Sequence, residues 1–549
     1  MLLIPMLAVL LAVIISPIAG MLSRSLTDYN IIDPPRFIGL ENYIELFKND
    51  DIFTIALANT FGLALLTASI SGTLAYALSL LLRKAHRAIR YIVILVFDLV
   101  SLYMLTGDAL NFLLDSDRHG LLNYLLMDLS IIKEPVQFLL KYVWQIHLLY
   151  MCLILFGPML TVLSLVKMRK VRGNSFLQLL LPLESSLHVY LAGALPLLLM
   201  PLCRNASLSA FGPVSLDYAA HTIMGHYINQ YATLLQAGYA SAVGIASLLL
   251  TGAYLIILIA ISCGIMHLVA LLKRGIKSRQ GNTEMQPGPA GDLAPNIVGI
   301  VMIFIGLVFL FPFFLVLMTS FKDVSDLLMY PPTIMPRKPT LINYIDLFTN
   351  SFDGYPFSGL LVSMLAVPFL PALAVTLVST VSAFGAAYYE YKGRRPLYAL
   401  ILASFMLLPT AMLPDYSNRL IYNNDMLLGF YAAFFSAAPL IGLAWFKSVI
   451  DRARQTGTGL FKAVLLNSIP VILVTYLMCY ISPFANDLSL KQTGFTLYSS
   501  IVESSTVANR GIVTASWVIR SGIASLFLLA AFLTAVKFSP RKGREQDRI

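Results

Sequence analysis

Hydrophobic residues in this chain come in long unbroken blocks, without the strict alternation of a half-buried strand or the three-and-four spacing of a soluble surface helix. Apolar runs of about 20 residues or more, enough for a helix to cross a hydrocarbon core of roughly 30 Å, recur from end to end. They are too long and too weakly alternating for barrel strands. Set against the intervening charge blocks, they predict roughly twelve helices. Six fall near 2–23, 53–82, 91–110, 140–166, 176–202 and 239–272, and six near 296–318, 358–390, 396–413, 427–447, 460–482 and 512–537. The expected fold class is therefore an all-α integral membrane protein. The first run meets no basic residue before Arg24 and exceeds the usual leader h-region of about 7–15 residues, so a span is expected there.

Composition agrees with this reading. Of 549 residues, 58% are hydrophobic and only 12% charged, and the mean hydropathy is +0.78, which excludes an ordinary soluble globular protein. The formal net charge of +10 does not point to nucleic acid, because Lys and Arg gather in short blocks between apolar runs. The blocks "RKAHRAIR" (83–90), "KMRKVR" (167–172), "KRGIKSR" (273–279), "KGRR" (392–395), the stretch from Lys447 to Lys462 and the "RKGREQDR" tail all fall on one side of the predicted spans. The positive-inside rule makes that side cytoplasmic and puts both termini there, as in a multi-pass protein of a bacterial inner membrane. Most acids fall in loops on the opposite face, among them Asp28, Asp33, Glu41, Glu45, Asp50 and Asp51.

Between the two sets of six runs lies "KSRQGNTEMQPGPAGDLAP", polar and rich in Gly and Pro, which reads as a flexible linker. The expected organisation is a first six-helix module over 1–275, a cytoplasmic linker over 276–295 and a second six-helix module over 296–549. The linker is too short to hold an ATPase domain, since domains typically need about 50 residues or more. A doubled phrase supports the division: "LENYIELF" at 40–47 and "LINYIDLF" at 341–348 each follow the first run of a module. Two copies in one orientation imply a parallel repeat, with a pseudo-two-fold along the membrane normal and a solute path between the halves.

Covalent chemistry finds no support. Cys152, Cys203, Cys263 and Cys479 sit in or beside apolar runs without CxxC pairing, and the seven histidines form no HExxH or i, i+4 pair, so no metal site is expected. No GxxxxGK[ST] phosphate loop occurs, so the chain is expected to hydrolyse no ATP and to carry no cofactor of its own. Ionisable residues inside spans are costly and are functional candidates by default. Three qualify: Asp98, about 12 Å beyond Arg90 along its helix; Glu184, close to His188; and Arg520, eight residues into the last run. Each is a candidate to line a polar path, with Arg520 able to bind a hydroxylated or anionic solute. Alternatively each snorkels or pairs across a helix interface, Asp98 or Glu184 being the partner of Arg520. The tryptophans Trp144, Trp445 and Trp517 read as anchors or packing.

Several stretches resemble a known family. "FIGLENYIELFKND", "YPPTIMPRKPTLINYIDLF" and "QAGYASAVGIASLLLTGAYLIILI" (236–259), with "GLLN" at 120–123, "FGP" at 211–213 and "GRRPLYALILASFMLLP" at 393–409, resemble the two membrane subunits of binding-protein-dependent carbohydrate ABC importers of the maltose and glycerol-phosphate type. The resemblance implies two type I importer permease modules fused in one chain: a sugar-transport permease, not an enzyme. Its implied partners are two copies of a cytoplasmic ABC ATPase, which bind the ATP, an extracytoplasmic solute-binding protein and membrane lipid. Family members carry a cytoplasmic coupling loop of the form EAA, three residues, Gly, with a Pro about thirteen residues on. In the second half "DRARQTG" places Asp451 at the Glu position, Ala453 at an Ala position and Gly457 at the Gly, with Pro470 thirteen residues on. In the first half Lys167 stands where the Glu belongs, Gly173 is kept, and Pro182 follows after only nine residues. The altered loops leave two readings: coupling to a specialised ATPase, or a permease-derived scaffold or sensor that has lost coupling. A proton-coupled secondary transporter using Asp98 and Glu184 is a third.

Overall fold

The computed structural model describes residues 15–82, 85–106, 121–136, 223–250, 293–329, 333–352, 355–366 and 510–538, together with residue 253 and scattered positions in 145–161, 369–381 and 473–477. The runs expected near 176–202, 396–413 and 427–447 lie outside these residues, as do most of the linker and nearly all of 460–482.

What is described is helical apart from a two-residue antiparallel pair, β1 (Ser351–Phe352) with β2 (Tyr355–Pro356). The long apolar runs become α1 (Ser16–Ser25), α3 (Asp51–Leu82), α4 (Arg87–Thr106), α6 (Cys152–Thr161), α8 (Ala237–Leu250), α9 (Leu293–Ser320), α12 (Phe357–Ala366) and α13 (Arg510–Phe538). The starts of α3, α4, α8, α9, α12 and α13 lie within a few positions of the expected ones, whereas the expected starts of the first and fourth runs fall outside the described residues. Three segments, Asp51–Ser79, Ala294–Ser320 and Arg510–Thr534, are long and apolar enough to cross a membrane. The protein is thus an all-α membrane protein in its described part.

The polar stretches between these runs are not all loop. They contain α2 (Glu41–Lys48), α5 (Leu121–Asp128), α7 (Ile223–Ile228) continued by a π-turn over Asn229–Thr233, α10 (Val324–Leu327) and α11 (Ile342–Thr349). None exceeds eight residues. Such lengths are too short to be stable alone, so these helices depend on tertiary contacts that no local pattern announces.

Both copies of the doubled phrase, in α2 and α11, build the same joint. Ser25 Oγ lies 2.7 Å from Tyr43 Oη, and Ser320 Oγ lies 2.8 Å from Tyr344 Oη. Asn42 Nδ2 donates to Ser25 O and Thr27 O, both at 2.9 Å; Asn343 Nδ2 donates to Ser320 O at 3.0 Å and Lys322 O at 2.6 Å. Upstream, Arg36 N–H donates to Asp28 Oδ1 and Arg337 N–H to Asp326 Oδ2, at 2.7 and 2.8 Å. A spanning helix that ends at a bilayer boundary leaves its last carbonyls without partners, and here a single Asn side chain satisfies two carbonyls of the departing chain. Leu46 and Leu347, at matching positions, are fully buried. At the far end of each short helix a ring closes on the next element: Phe47 meets Phe53 edge-on at 5.7 Å, and Phe348 meets Phe357 at 5.2 Å.

One apolar core crosses from the first half of the chain to the second. Val93, Ile94, Phe97, Val100 and Met104 of α4 pack with Phe313 and Val316 of α9 and with Trp517 and Phe532 of α13. Two glycines seven residues apart, hence on one helix face, set the close approach of α9 to α4. A Cβ at Gly299 would lie 2.4 Å from Ile89 Cγ2, and one at Gly306 would lie 2.4 Å from Val96 Cγ1. At the helix start, His86 N–H donates to Asn296 Oδ1 at 2.8 Å.

Candidate functional site

Buried polar groups lie on α3, α4 and α13, and α4 carries a buried carboxyl. Asp98 is buried, 8% exposed, and its Oδ2 accepts from Thr161 Oγ1 of α6 at 2.7 Å. One turn on, Ser101 Oγ lies 2.9 Å from both Phe97 O and Leu153 O, and accepts from Gly157 N–H at 3.2 Å. Ser71 of α3 adds a hydrogen bond to Cys152 O at 3.1 Å. The α4–α6 seam can be this close because position 157 is Gly: a Cβ there would sit 2.4 Å from Phe97 O. Packing of this kind, small residues with interhelical hydrogen bonds, holds helices together where lipid removes the hydrophobic drive.

The next part of α4 turns toward the second half. Tyr103 packs at a tilt against Phe313 and Trp517, 4.8 and 5.8 Å between ring centres, and its Oη accepts from Ser525 Oγ at 2.9 Å. Trp517, 3% exposed, is a core residue as its sequence context suggested. Arg520, one turn further along α13, is also buried, at 4% exposure. The structure therefore places two of the three candidate path residues inside the bundle on facing elements, yet among the described residues no ion pair joins Asp98 to Arg520. Asp98 is satisfied by a neutral hydroxyl. Glu184 and the coupling-loop residues Lys167, Gly173, Pro182, Asp451, Ala453, Gly457 and Pro470 lie outside the described residues.

A second polar cluster sits at the start of α3, and its members were not singled out from the sequence. Asp50 Oδ1 caps that helix by accepting from Phe53 N–H at 2.8 Å. Its Oδ2 accepts from Tyr239 Oη at 2.6 Å and lies 2.8 Å from His226 Nε2. Burial alone would raise the Asp50 carboxyl, but the hydrogen bonds from Tyr239, the Phe53 amide and His226 hold it below its ordinary value. Burial lowers the His226 imidazole, and this outweighs the attraction of Asp50. At neutral pH the cluster is a carboxylate that accepts hydrogen bonds from a neutral imidazole and a phenol. It ties α3, α7 and α8 together, and Gly238 N–H adds a bond to Tyr29 O at 2.7 Å. His226 and Tyr239 are thereby turned toward Asp50.

The missed signal was a second repeat. "GIASL" occurs at 244–248 in α8 and at 522–526 in α13. In that alignment Arg520 falls opposite Ala242, and both positions are buried.

No family model matches the chain. Three known proteins are similar over parts of it. The inner membrane ABC transporter permease protein YcjP of Escherichia coli strain K12 is 28% identical over 123 residues, 22% of this chain and 43% of that protein. A putative ABC transporter permease protein of a Caldicellulosiruptor species is 29% identical over 161 residues, 28% of this chain and 57% of its own length. The sulfoquinovosyl glycerol transport system permease protein SmoH of Agrobacterium fabrum is 26% identical over 188 residues, 32% of this chain and 64% of its own length. The matched stretches therefore span between 43% and 64% of these relatives. Two of the three are named as ABC transporter permeases, one of them as putative, and the third as a transport-system permease; this membrane protein is similar to such permeases, which are transport components.

Proposed function

We propose that the chain is the membrane-spanning permease of an ABC importer, with both permease modules fused, forming the path for a carbohydrate or sugar-derived solute. The similarity to three ABC permeases carries this reading. Added support comes from the matching joints at Asn42 and Asn343 and from the apolar core shared by α4, α9 and α13. In this proposal the chain lies in a bacterial inner membrane with both termini cytoplasmic. A solute-binding protein delivers to the opposite face, and two copies of an ABC ATPase hydrolyse ATP beneath the loops around Gly173 and Gly457. Asp98, buried at the α4–α6 seam, and the Arg520 guanidinium line the path in this proposal and bind solute hydroxyls or an anionic group.

Purification of the intact chain in mild detergent, with identification of co-purifying proteins, tests the assembly. An ABC ATPase and ATP-dependent solute uptake in vesicles are the expected results. A chain without ATPase, carrying solvent-exposed loops at 167–175 and 447–460, would overturn it. That outcome would favour the scaffold or sensor reading, which Lys167 at the Glu position and the shortened Gly173-to-Pro182 spacing motivate. Uptake that follows the proton gradient and survives ATP depletion would instead assign Asp98 and Glu184 as proton carriers.

A further inference from the structure

The two short helices that carry the doubled phrase each leave an apolar face uncovered. On α2, Leu40, Ile44 and Phe47 are 64%, 52% and 59% exposed; on α11, Leu341, Ile345 and Phe348 are 59%, 57% and 46% exposed. The spacing is i, i+4, i+7 in both, one face of an α-helix. At about 100° per residue each helix divides into three sectors. The first turns inward and holds Asn42, Tyr43 and Leu46 in α2 and their counterparts in α11. The second is the exposed apolar face. On α2 the third carries Glu41, Glu45 and Lys48; on α11 it is Ile342, Asp346 and Thr349.

The depth of these faces is fixed by covalent and hydrogen-bonded neighbours. Asn343 and Tyr344 tie α11 to the last turn of α9, a segment able to cross a membrane, through Ser320. Phe47 ties α2 to Phe53 in the first turn of α3, another such segment. Each helix therefore lies at the end of a span. The apolar surface also continues past that point, because Ile52 and Ile55 on the first turns of α3 are each 45% exposed. A polar sector beside an apolar sector, held at the level where spans end, is the arrangement of a helix lying in a membrane interface.

We propose that α2 and α11 are interfacial anchors whose exposed apolar faces rest in the boundary between headgroups and acyl chains at the ends of the spans they join. The occupant of both faces is lipid. The proposal requires only that the chain spans a membrane, so it stands or falls independently of ATPase coupling.

The test uses the full chain reconstituted in lipid vesicles, with its four native cysteines replaced by Ala and a spin label at Ile44→Cys, Ile345→Cys, Glu45→Cys or Asp346→Cys. Labels at 44 and 345 should collide several-fold more with dissolved oxygen, which concentrates in lipid, than with a water-soluble nickel chelate, and labels at 45 and 346 should show the reverse. If the cysteine-free chain fails to fold, a genetically encoded fluorescent residue at the same positions, challenged with bromolipid and aqueous iodide, provides the same comparison. Equal aqueous access at 44 and 45, or at 345 and 346, overturns the proposal. Protection from both lipid and water at 44 and 345 also overturns it, because that result would mean a protein seat.

Discussion

Gly157→Ala is the sharpest perturbation of the polar seam on α4. Its Cβ would lie 2.4 Å from Phe97 O, 2.4 Å from Ser101 Oγ and 2.7 Å from Phe97 C. Two of these are backbone atoms inside α4, which cannot swing aside as a side chain can. Restoring ordinary contact, beyond 3.4 Å, requires α4 and α6 to separate by about 1 Å. Overpacking of this kind costs about 1–3 kcal/mol. Separation also stretches the bonds from Gly157 to Ser101 and from Thr161 to Asp98, each worth about 0.6 kcal/mol between membrane helices. Against this, Ala gains about 0.5–1 kcal/mol over Gly in a helix interior. The net expectation is a loss of about 1–3 kcal/mol, from the difference of these terms. Thermal unfolding in detergent, followed by tryptophan emission, reads it directly, since Trp517 belongs to the same core. Gly62→Ala in α3 is the control, because nothing lies within 4 Å of its Cβ and it should melt at or above the parent temperature. If Gly157→Ala melts no lower than Gly62→Ala, α4 and α6 do not meet at this glycine and the seam is wrong.

Asn42→Ala and Asn343→Ala should each remove two hydrogen bonds to backbone carbonyls and destabilise the local joint by about 1–3 kcal/mol. Hydrogen exchange should rise around 36–48 or 337–349 respectively, and unchanged protection would show that the side chains do not hold the turn. The His226 pKa lies below its ordinary value in the folded protein, so the unfolded chain binds more protons as pH falls below about 6.5, and folded stability falls with it. Asp50, also held low, contributes stability that is lost only on further acidification through and below the ordinary carboxylate range. Melting temperature should therefore begin to drop near pH 6.5, and His226→Gln should flatten that first step; identical profiles for the two proteins would refute the assignment. Asp98→Asn keeps an acceptor for Thr161, so protein level should hold while solute uptake falls, and Arg520→Gln should likewise reduce uptake. Unchanged uptake in both variants would remove these residues from the path.

The long helices were legible because a run of about 20 apolar residues has few alternatives in a bilayer, where every backbone group must be satisfied within its own helix. The partners of polar residues were not legible. Asp98 stands out as a carboxyl in a span, but nothing in the local letters names Thr161, the hydroxyl that it accepts from. Asp50 was read as one more acid on a loop, yet its position before α3, together with a His 176 and a Tyr 189 residues away, makes it the hub of a buried cluster. The doubled phrase lies between these cases, since its repetition marked positions as important without saying to what. The structure sorts the six letters shared by "LENYIELF" and "LINYIDLF". Asn42 and Tyr43 hold the chain where the preceding helix ends, and Leu46 packs inward. The remaining three, Leu40, Ile44 and Phe47, are apolar in both copies although the protein covers neither set. In a loop facing water nothing would keep three exposed apolar positions apolar in both copies, while the polar sector beside them changes from Glu41 to Ile342 and from Lys48 to Thr349. A surface that keeps its hydrophobic character where the protein leaves it about half exposed, and varies in the sector beside it, is accounted for by a bilayer on the uncovered side.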